Sequence, residues 1–319
     1  MSFTGAPVKL IYDRVTDTRA NFYETAVGIR MKVGVDKSGK PVAWQIHKVF
    51  NEESRRPALA PLIGAFGMSP LGFPYNPFPY KPLIDEFAYP APSIQVSSSD
   101  PMYDTPVGAM RGVGAKDGTF AVERTIDDLA ELAGVDPLAY RKSIITDKRL
   151  LACLDDVATR GQWGKSLPKG SAQGLSVCIY DTTRIACLAE VSVSDAGQIT
   201  VERITTAIDP GIAIDPGSIH SQTEGGAIWG LSNLLEGKID IVGGGTAQAN
   251  LDTTHFLRYN QAPQVDVAVL STDNTPGAVG EPGSFIVYGA VGNAVSRASG
   301  VKQYSYPFKA ADLLPSPNP

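Results

Sequence analysis

"RIACLAEVSVSDAGQITVERITTAID" (residues 184–209) holds two apolar, β-branched runs on either side of a "SDAGQ" break. Runs of this kind, separated by a short turn containing glycine, read as two antiparallel strands joined in a hairpin. Near the start of the chain, "AVGIRMKVGVDKSGKPVAWQIHKVF" (26–50) has the same layout around "DKSGK". Residue identity between the two is low, yet the shared design points to a duplicated α+β architecture, with mixed sheets and hairpins and helices packed on them. On that reading the chain divides into a first α+β unit over residues 1–170 and a second over 171–319.

Helix signals lie between and after the hairpins. "KDGTFAVERTIDDLAELAG" (116–134) predicts a helix capped by Asp117, with Phe120, Val122, Ile126, Leu129 and Ala133 at helical spacing and Gly134 as its stop. "VDPLAYRKS" predicts a helix capped by Asp136 with Pro137 in its first position, and "DPGSIHSQTEGGAIWGLSNLLEG" (215–237) repeats that start with Asp215 and Pro216. Inside the last helix, Gly225, Gly226 and Gly230 each cost about 1 kcal/mol relative to alanine. Close approach of another backbone or of a ligand accounts for them. The Pro-, Gly- and aromatic-rich stretch over 57–92, with Phe66, Phe73, Tyr75, Phe78 and Tyr80, reads as a long functional loop, either a funnel wall or an interface.

With 43% hydrophobic residues, 19% charged residues and a net charge of -5, the 319-residue chain has the composition of a soluble globular protein. Its scattered Lys and Arg form no basic stripe, which argues against nucleic acid. No apolar run is long enough to span a membrane, and "MSFTGAPVKL" has no signal-peptide pattern, so the cytoplasm is expected. Cys153, Cys178 and Cys187 form no C-x-x-C pair, and His47, His220 and His255 are dispersed. Neither set offers metal ligands, so any redox centre must be held by other groups.

Four glycine-rich stretches stand at element boundaries. In "GAMRGVGAKDG" (108–118), Arg111 lies among glycines before a helix, where main-chain N–H groups and a guanidinium together suit an anion; an ordinary loop with a surface arginine is the plainer alternative. In "HSQTEGGAIWG" (220–230), the Gln222 amide suits a planar heterocycle, and helix packing alone also explains the motif. "IDIVGGGTAQAN" (239–250) lacks the Lys-Ser/Thr of a P-loop and reads as a turn. In "GAVGEPGS" (277–284), Glu281 precedes Pro282, which biases it toward an extended backbone and fixes its direction. So aimed, Glu281 is either a turn residue or a catalytic base.

Taken together, "TGAPVKLIYDRVTDTRANFY" (4–23), "MRGVG" (110–114), "FAVERTIDDLAELAGVDPLAYRKS" (120–143), "CLDDVATRGQWG" (153–164), the run from Ala189 to Ser232 and "PGAVGEPG" (276–283) followed by "GAVGNAVSRASG" resemble one family. It is the molybdopterin-binding large subunit of the xanthine oxidase family of molybdenum hydroxylases, in its isoquinoline 1-oxidoreductase and aldehyde dehydrogenase branch. The resemblance implies oxidation of an aldehyde or N-heteroaromatic carbon with water-derived oxygen, with Glu281 as the carboxylate base beside molybdenum. It implies cofactor contacts from Met110, Arg111, Gly112, Val113, Gly114, Gln222 and Gly280, with no metal ligand from the chain itself. It covers only the C-terminal part of such a subunit and lacks the "GGFGG"-type loop of the preceding part. The molybdopterin-type cofactor would therefore be shared with a chain carrying the N-terminal half. A [2Fe-2S] subunit, and optionally a cytochrome or flavin subunit, would complete the assembly, and export on a signal-bearing partner would place it in the periplasm. The opposing reading is a noncatalytic half-subunit that packs on a partner and holds no cofactor.

Overall fold

The computed structural model describes residues 7–50, 88–90, 92–99, 101 and 105–314. Elements are numbered in chain order. After a short helix α1 (Arg14–Arg19), strands β1 (Val27–Val35) and β2 (Pro41–Phe50) pair antiparallel with Val27 opposite Phe50, and a bulge at Gly34/Val35 precedes the last pair, Val35 with Pro41. Strand β3 (Ser93–Ser99) then joins β2 in parallel. Helices α2 (Ala115–Leu132), α3 (Pro137–Ile144) and α4 (Lys148–Arg160) follow. A second sheet has the order β4-β5-β6-β9, from β4 (Ser171–Tyr180), β5 (Thr183–Val193), β6 (Ile199–Asp209) and β9 (Gln264–Val269). Between β6 and β9 run helix α5 (Pro216–Glu236) and a minute ribbon of β7 (Ile241–Val242) and β8 (Gly245–Thr246), and helix α6 (Pro282–Ser299) follows β9.

Both expected hairpins form, and the likeness between the halves goes further. β5 and β6 are antiparallel, β9 adds to β6 in parallel, and a helix follows, just as β3 adds to β2 before α2. A parallel third strand requires a crossover. In the second half α5 provides it; in the first the connecting residues, with the aromatic stretch at 57–92, lie almost wholly outside the described residues. The expected boundary at 170/171 falls in the turn closed by Ser171 N–H to the Pro168 carbonyl, 3.0 Å.

The second sheet is covered on both faces, which is why β5 is buried on both sides from Ile185 to Ala189. Ile185, Cys187 and Ala189 share a core with α5 and α6, while Ala186 and Leu188 share one with α2 and α4. Successive strand side chains point to opposite faces, so each face draws on every second residue. Burial pushes the Cys153 thiol up to about 12 and that of Cys187 higher still, so both pack as small hydrophobes.

Cap chemistry sets the helix ends, with one correction. Asp136, Asp147 and Asp215 each accept a main-chain N–H from the third residue onward. Asp117 does not cap α2. The helix begins three residues earlier than such a cap would start it, at Ala115 after Gly114 at φ +70°, and Asp117 sits in its first turn accepting from the Tyr306 hydroxyl at 2.5 Å. The left-handed Gly114 lets the chain turn into the helix without a side-chain cap. Gly134, at φ +66°, closes the far end as expected.

A buried charged cluster ties the helices together. Arg141 of α3, fully buried, donates to Glu123 at 2.6 Å and to Asp127 at 2.7 Å, both on α2. Asn293 of α6 donates to the carbonyls of Glu123 (3.2 Å) and Leu175 (2.9 Å), and accepts from Arg124 at 2.6 Å. Burial raises the Glu123 carboxyl above its ordinary range, and Arg141 pulls it back. Removing one partner of such a cluster leaves the other charges buried and uncompensated. Arg141→Ala is expected to cost about 3–5 kcal/mol, read as a large drop in the urea midpoint at pH 7. A loss below about 1 kcal/mol would show that the cluster contributes specificity rather than stability.

Candidate active site

Helices α2 and α6, each 18 residues long, lie side by side and parallel. Their contacts keep a near-constant offset: Gly112 meets Glu281 and Arg124 meets Asn293, both 169 residues apart, and Asp127 meets Arg297 at 170. Phe120 fills the space over Gly292, and Glu123 packs over Gly289, as a near-twofold relation requires. The preceding loops share one frame, "GAMRGVGA" (108–115) and "GAVGEPGS" (277–284), at the same offset. Both helix N-termini therefore converge at one place, where unpaired N–H groups and aligned peptide dipoles favour anions.

At that place stands Glu281, half-buried. Its Oε1 accepts the main-chain N–H of Gly112 at 3.1 Å, and its Oε2 accepts the hydroxyl of Tyr180 in a short hydrogen bond. Its own carbonyl accepts the N–H of Ser284 (2.8 Å) and the hydroxyl of the same residue (2.7 Å). Those two bonds explain a departure from expectation. Glu281 is not extended but helical, at φ -110° and ψ -35°, because its carbonyl closes the first turn of α6. The bias imposed by a following proline yields to two local hydrogen bonds.

Arg111 clasps the same loop from the other side. Its Nε donates to the Gly280 carbonyl at 2.8 Å, and its Nη2 donates to the Gln222 side-chain oxygen at 2.9 Å and the Gln222 carbonyl at 3.2 Å. Arg111, Gly112, Gln222, Gly280 and Glu281, five of the residues singled out by sequence, are thus one connected group. The other three stand around it. Met110 accepts a weak contact from the Asn233 amide at 3.6 Å, and Val113 and Gly114 form the turn into α2. Tyr180 and Ser284 were not anticipated. The recurrence of the "GA" loops was a readable signal for Ser284; nothing in the local pattern marks Tyr180, which reaches the site from the end of β4.

Close helix packing delivers Gln222. A Cβ on Gly226 would meet the Ser284 nitrogen at 3.0 Å, and one on Gly230 would strike the Ser284 carbonyl oxygen. Gly225 has nothing within 4 Å and faces the open side. Behind the 110–114 turn, buried Lys116 pairs with Glu24 and lies over the Trp229 ring, and Lys48 stands 3.8 Å from Asp117. Burial raises the Glu24 carboxyl, against the pull of Lys116.

Similar chains are found among known proteins. A family model for the molybdopterin cofactor-binding domain matches residues 86–144. The membrane-bound aldehyde dehydrogenase (pyrroloquinoline-quinone) of Gluconacetobacter polyoxogenes is 28% identical over 332 residues, covering 97% of this chain and 42% of that one. Isoquinoline 1-oxidoreductase subunit beta of Brevundimonas diminuta is 26% identical, covering 96% of this chain and 39% of that one. The aldehyde oxidoreductase of Desulfovibrio gigas superposes with a TM-score of 0.76 at 15% identity, over 95% of this chain and 50% of that one. In sequence and in fold this chain resembles the molybdenum hydroxylase large subunits. It spans about two fifths of the length of these two sequence relatives. Among the described residues no helix is long and apolar enough to cross a membrane.

Two predictions follow from the scaffold. Gly230→Ala forces a backbone shift at Ser284 and is expected to cost about 1–3 kcal/mol and to loosen the Gly112 amide, seen as faster hydrogen exchange. Gly225→Ala, with open space, is expected to be neutral or to stabilise by up to about 1 kcal/mol. Equal effects of the two on the melting temperature would contradict the packing described. The second concerns Asp209, beside the loop that leads toward Glu281. Burial pushes its carboxyl up, but Arg149 (2.7 Å), the Gly211 N–H (2.8 Å) and Thr272 (3.1 Å) outweigh that and hold it below the ordinary range. Its stabilisation is complete above the unfolded carboxylate value of about 4 and is lost as pH falls through the lowered folded value. The urea midpoint of the parent chain should therefore fall more steeply on the acid side of about pH 4 than that of Arg149→Ala.

Proposed function

We propose that this chain forms the molybdopterin-facing part of an oxidoreductase that hydroxylates an aldehyde or an N-heteroaromatic carbon, together with a second segment or chain that completes the pocket. One observation carries the reading: two helix N-termini, a guanidinium, an amide and a fixed carboxylate converge on one partly open face. That face fits a large polar, anionic cofactor. Gly225 and Gly280 leave open space where side chains would stand, and Gln222 is exposed. Among the described residues, Arg111 Nη1 has no hydrogen-bond partner, leaving donors to spend on an acceptor.

When bound, the molybdenum cofactor supplies the two-electron redox centre that no Cys or His of this chain provides. Main-chain groups of Met110–Gly114, the Gln222 amide and Gly280 would hold it. Glu281 would act as the base that takes a proton during attack on the substrate carbon. Each carboxylate oxygen already accepts one hydrogen bond but keeps a further lone pair, so the group stays oriented and still able to accept a proton. Electrons would leave through a [2Fe-2S] partner, with a cytochrome or flavin subunit as a further acceptor.

The test is metal and cofactor analysis of the chain alone and co-expressed with its genomic neighbours. The expected result is molybdenum near one per complex, with Glu281→Gln keeping the metal and losing aldehyde or heteroaromatic oxidation by about 100-fold or more. Absence of molybdenum from both preparations would overturn the reading in favour of a noncatalytic half-subunit. A quinone cofactor found in place of molybdenum would side with the name of the Gluconacetobacter relative.

A further inference from the structure

We infer that Tyr180 is the positioning residue of Glu281: its hydroxyl and the Gly112 N–H grip the two carboxylate oxygens from opposite sides and fix the plane of the acid. The chemical consequence rests on the function proposed above, whereas the contact itself does not. A glutamate side chain has three rotatable bonds, and a single hydrogen bond to one oxygen leaves the carboxylate free to swing about that oxygen. A second donor on the other oxygen, supplied by a different element, removes that freedom. Gly112 belongs to the loop before α2, and Tyr180 to the end of β4.

The surroundings show that Tyr180 is itself held. Its ring packs on Phe285 in the first turn of α6, with centroids 5.1 Å apart. The residues after it, Asp181 at φ +39° and Thr182 at φ +66°, make a two-residue hairpin turn in the left-handed region without a glycine. That turn is clamped from both sides. Arg184 and Arg149 donate to the Thr182 carbonyl at 2.6 and 3.3 Å, the Thr183 hydroxyl donates to the Ala278 carbonyl at 2.7 Å, and the Ala278 N–H donates to the Asp181 carbonyl at 3.3 Å. Gly277 has no Cβ because one would strike Thr183, Asp181 and Thr182 within 2.5–2.7 Å. The hairpin turn and the 277–281 loop are thus docked as one body, which carries both the hydroxyl and the acid it touches.

The experiment is carbon-13 and amide NMR of the full chain. The Glu281 Cδ resonance is assigned by its disappearance in Glu281→Gln and then followed in Tyr180→Phe. The expected result is a displaced and broadened Glu281 Cδ signal and a shifted Gly112 amide proton, with circular dichroism and melting temperature unchanged. An unmoved Glu281 Cδ signal in a folded Tyr180→Phe chain would overturn the inference. If Tyr180→Phe does not fold, the Tyr180 Cζ resonance is compared between the parent and Glu281→Gln; displacement supports the contact and coincidence overturns it. In the molybdenum-loaded complex, Tyr180→Phe is expected to lower kcat roughly tenfold at unchanged KM. A rise in KM at constant kcat would assign Tyr180 to substrate binding instead. A complex without molybdenum would defeat the proposed function and leave the NMR result standing.

Discussion

Arg141 and Asn293, both completely buried, hold this structure together at the point where its halves meet. A buried guanidinium is tolerable only when its donors are spent, and here Glu123, Asp127 and the Leu175 carbonyl take them. Asn293 then joins α6 to α2 and to β4 through two carbonyls. Hydrogen bonds of this kind are directional, whereas apolar packing is not. They fix the sliding position of one helix against the other, and so decide which residues face each other at the helix starts. The meeting of Gly112 with Glu281 is set about three turns away, by a cluster that touches no part of the site.

The site in turn shows how backbone can act as a functional group. Its fixed donors are a main-chain N–H, a hydroxyl at a strand end and a guanidinium already tied to two carbonyls. Short, well-braced donors lose little freedom on meeting a partner, so they orient a carboxylate at low entropic cost. The glycines of α5 serve the same end by geometry. Gly226 and Gly230 admit the backbone of α6 so closely that Gln222 is carried to within reach of Arg111. In an isolated helix these residues would only weaken it.

Much of this was legible in the sequence. Strand alternation and turn residues identified both hairpins, and Asp-Pro pairs marked two helix starts, because these signals depend on neighbours in the chain. The convergence of "MRGVG", "SQTEGG" and "GEPG" was legible only through resemblance to a family, since the three lie more than 50 residues apart. Two local readings failed for the same reason. Asp117 has the chemistry of a cap, but a tertiary hydrogen bond from Tyr306 claims it, and a left-handed glycine starts the helix earlier. Glu281 precedes proline, but Ser284 draws its carbonyl into a helical turn. Tyr180 left no trace in the pattern, because a tyrosine at a strand end is ordinary until the opposing loop is known.

The near-twofold relation between the two helix starts puts residues 112 and 281 at equivalent posts. Matching side chains at the two would give two carboxylates in contact, and like charges so close cannot both stay ionised. The pair escapes that conflict because one post has surrendered its side chain. At φ +82°, with Ser284 and Phe285 against the space a Cβ would occupy, position 112 admits little but glycine, and what it offers its twin is a bare peptide N–H. An architecture built by repetition thus obtains a single acid with a donor facing it by breaking its own symmetry at one residue.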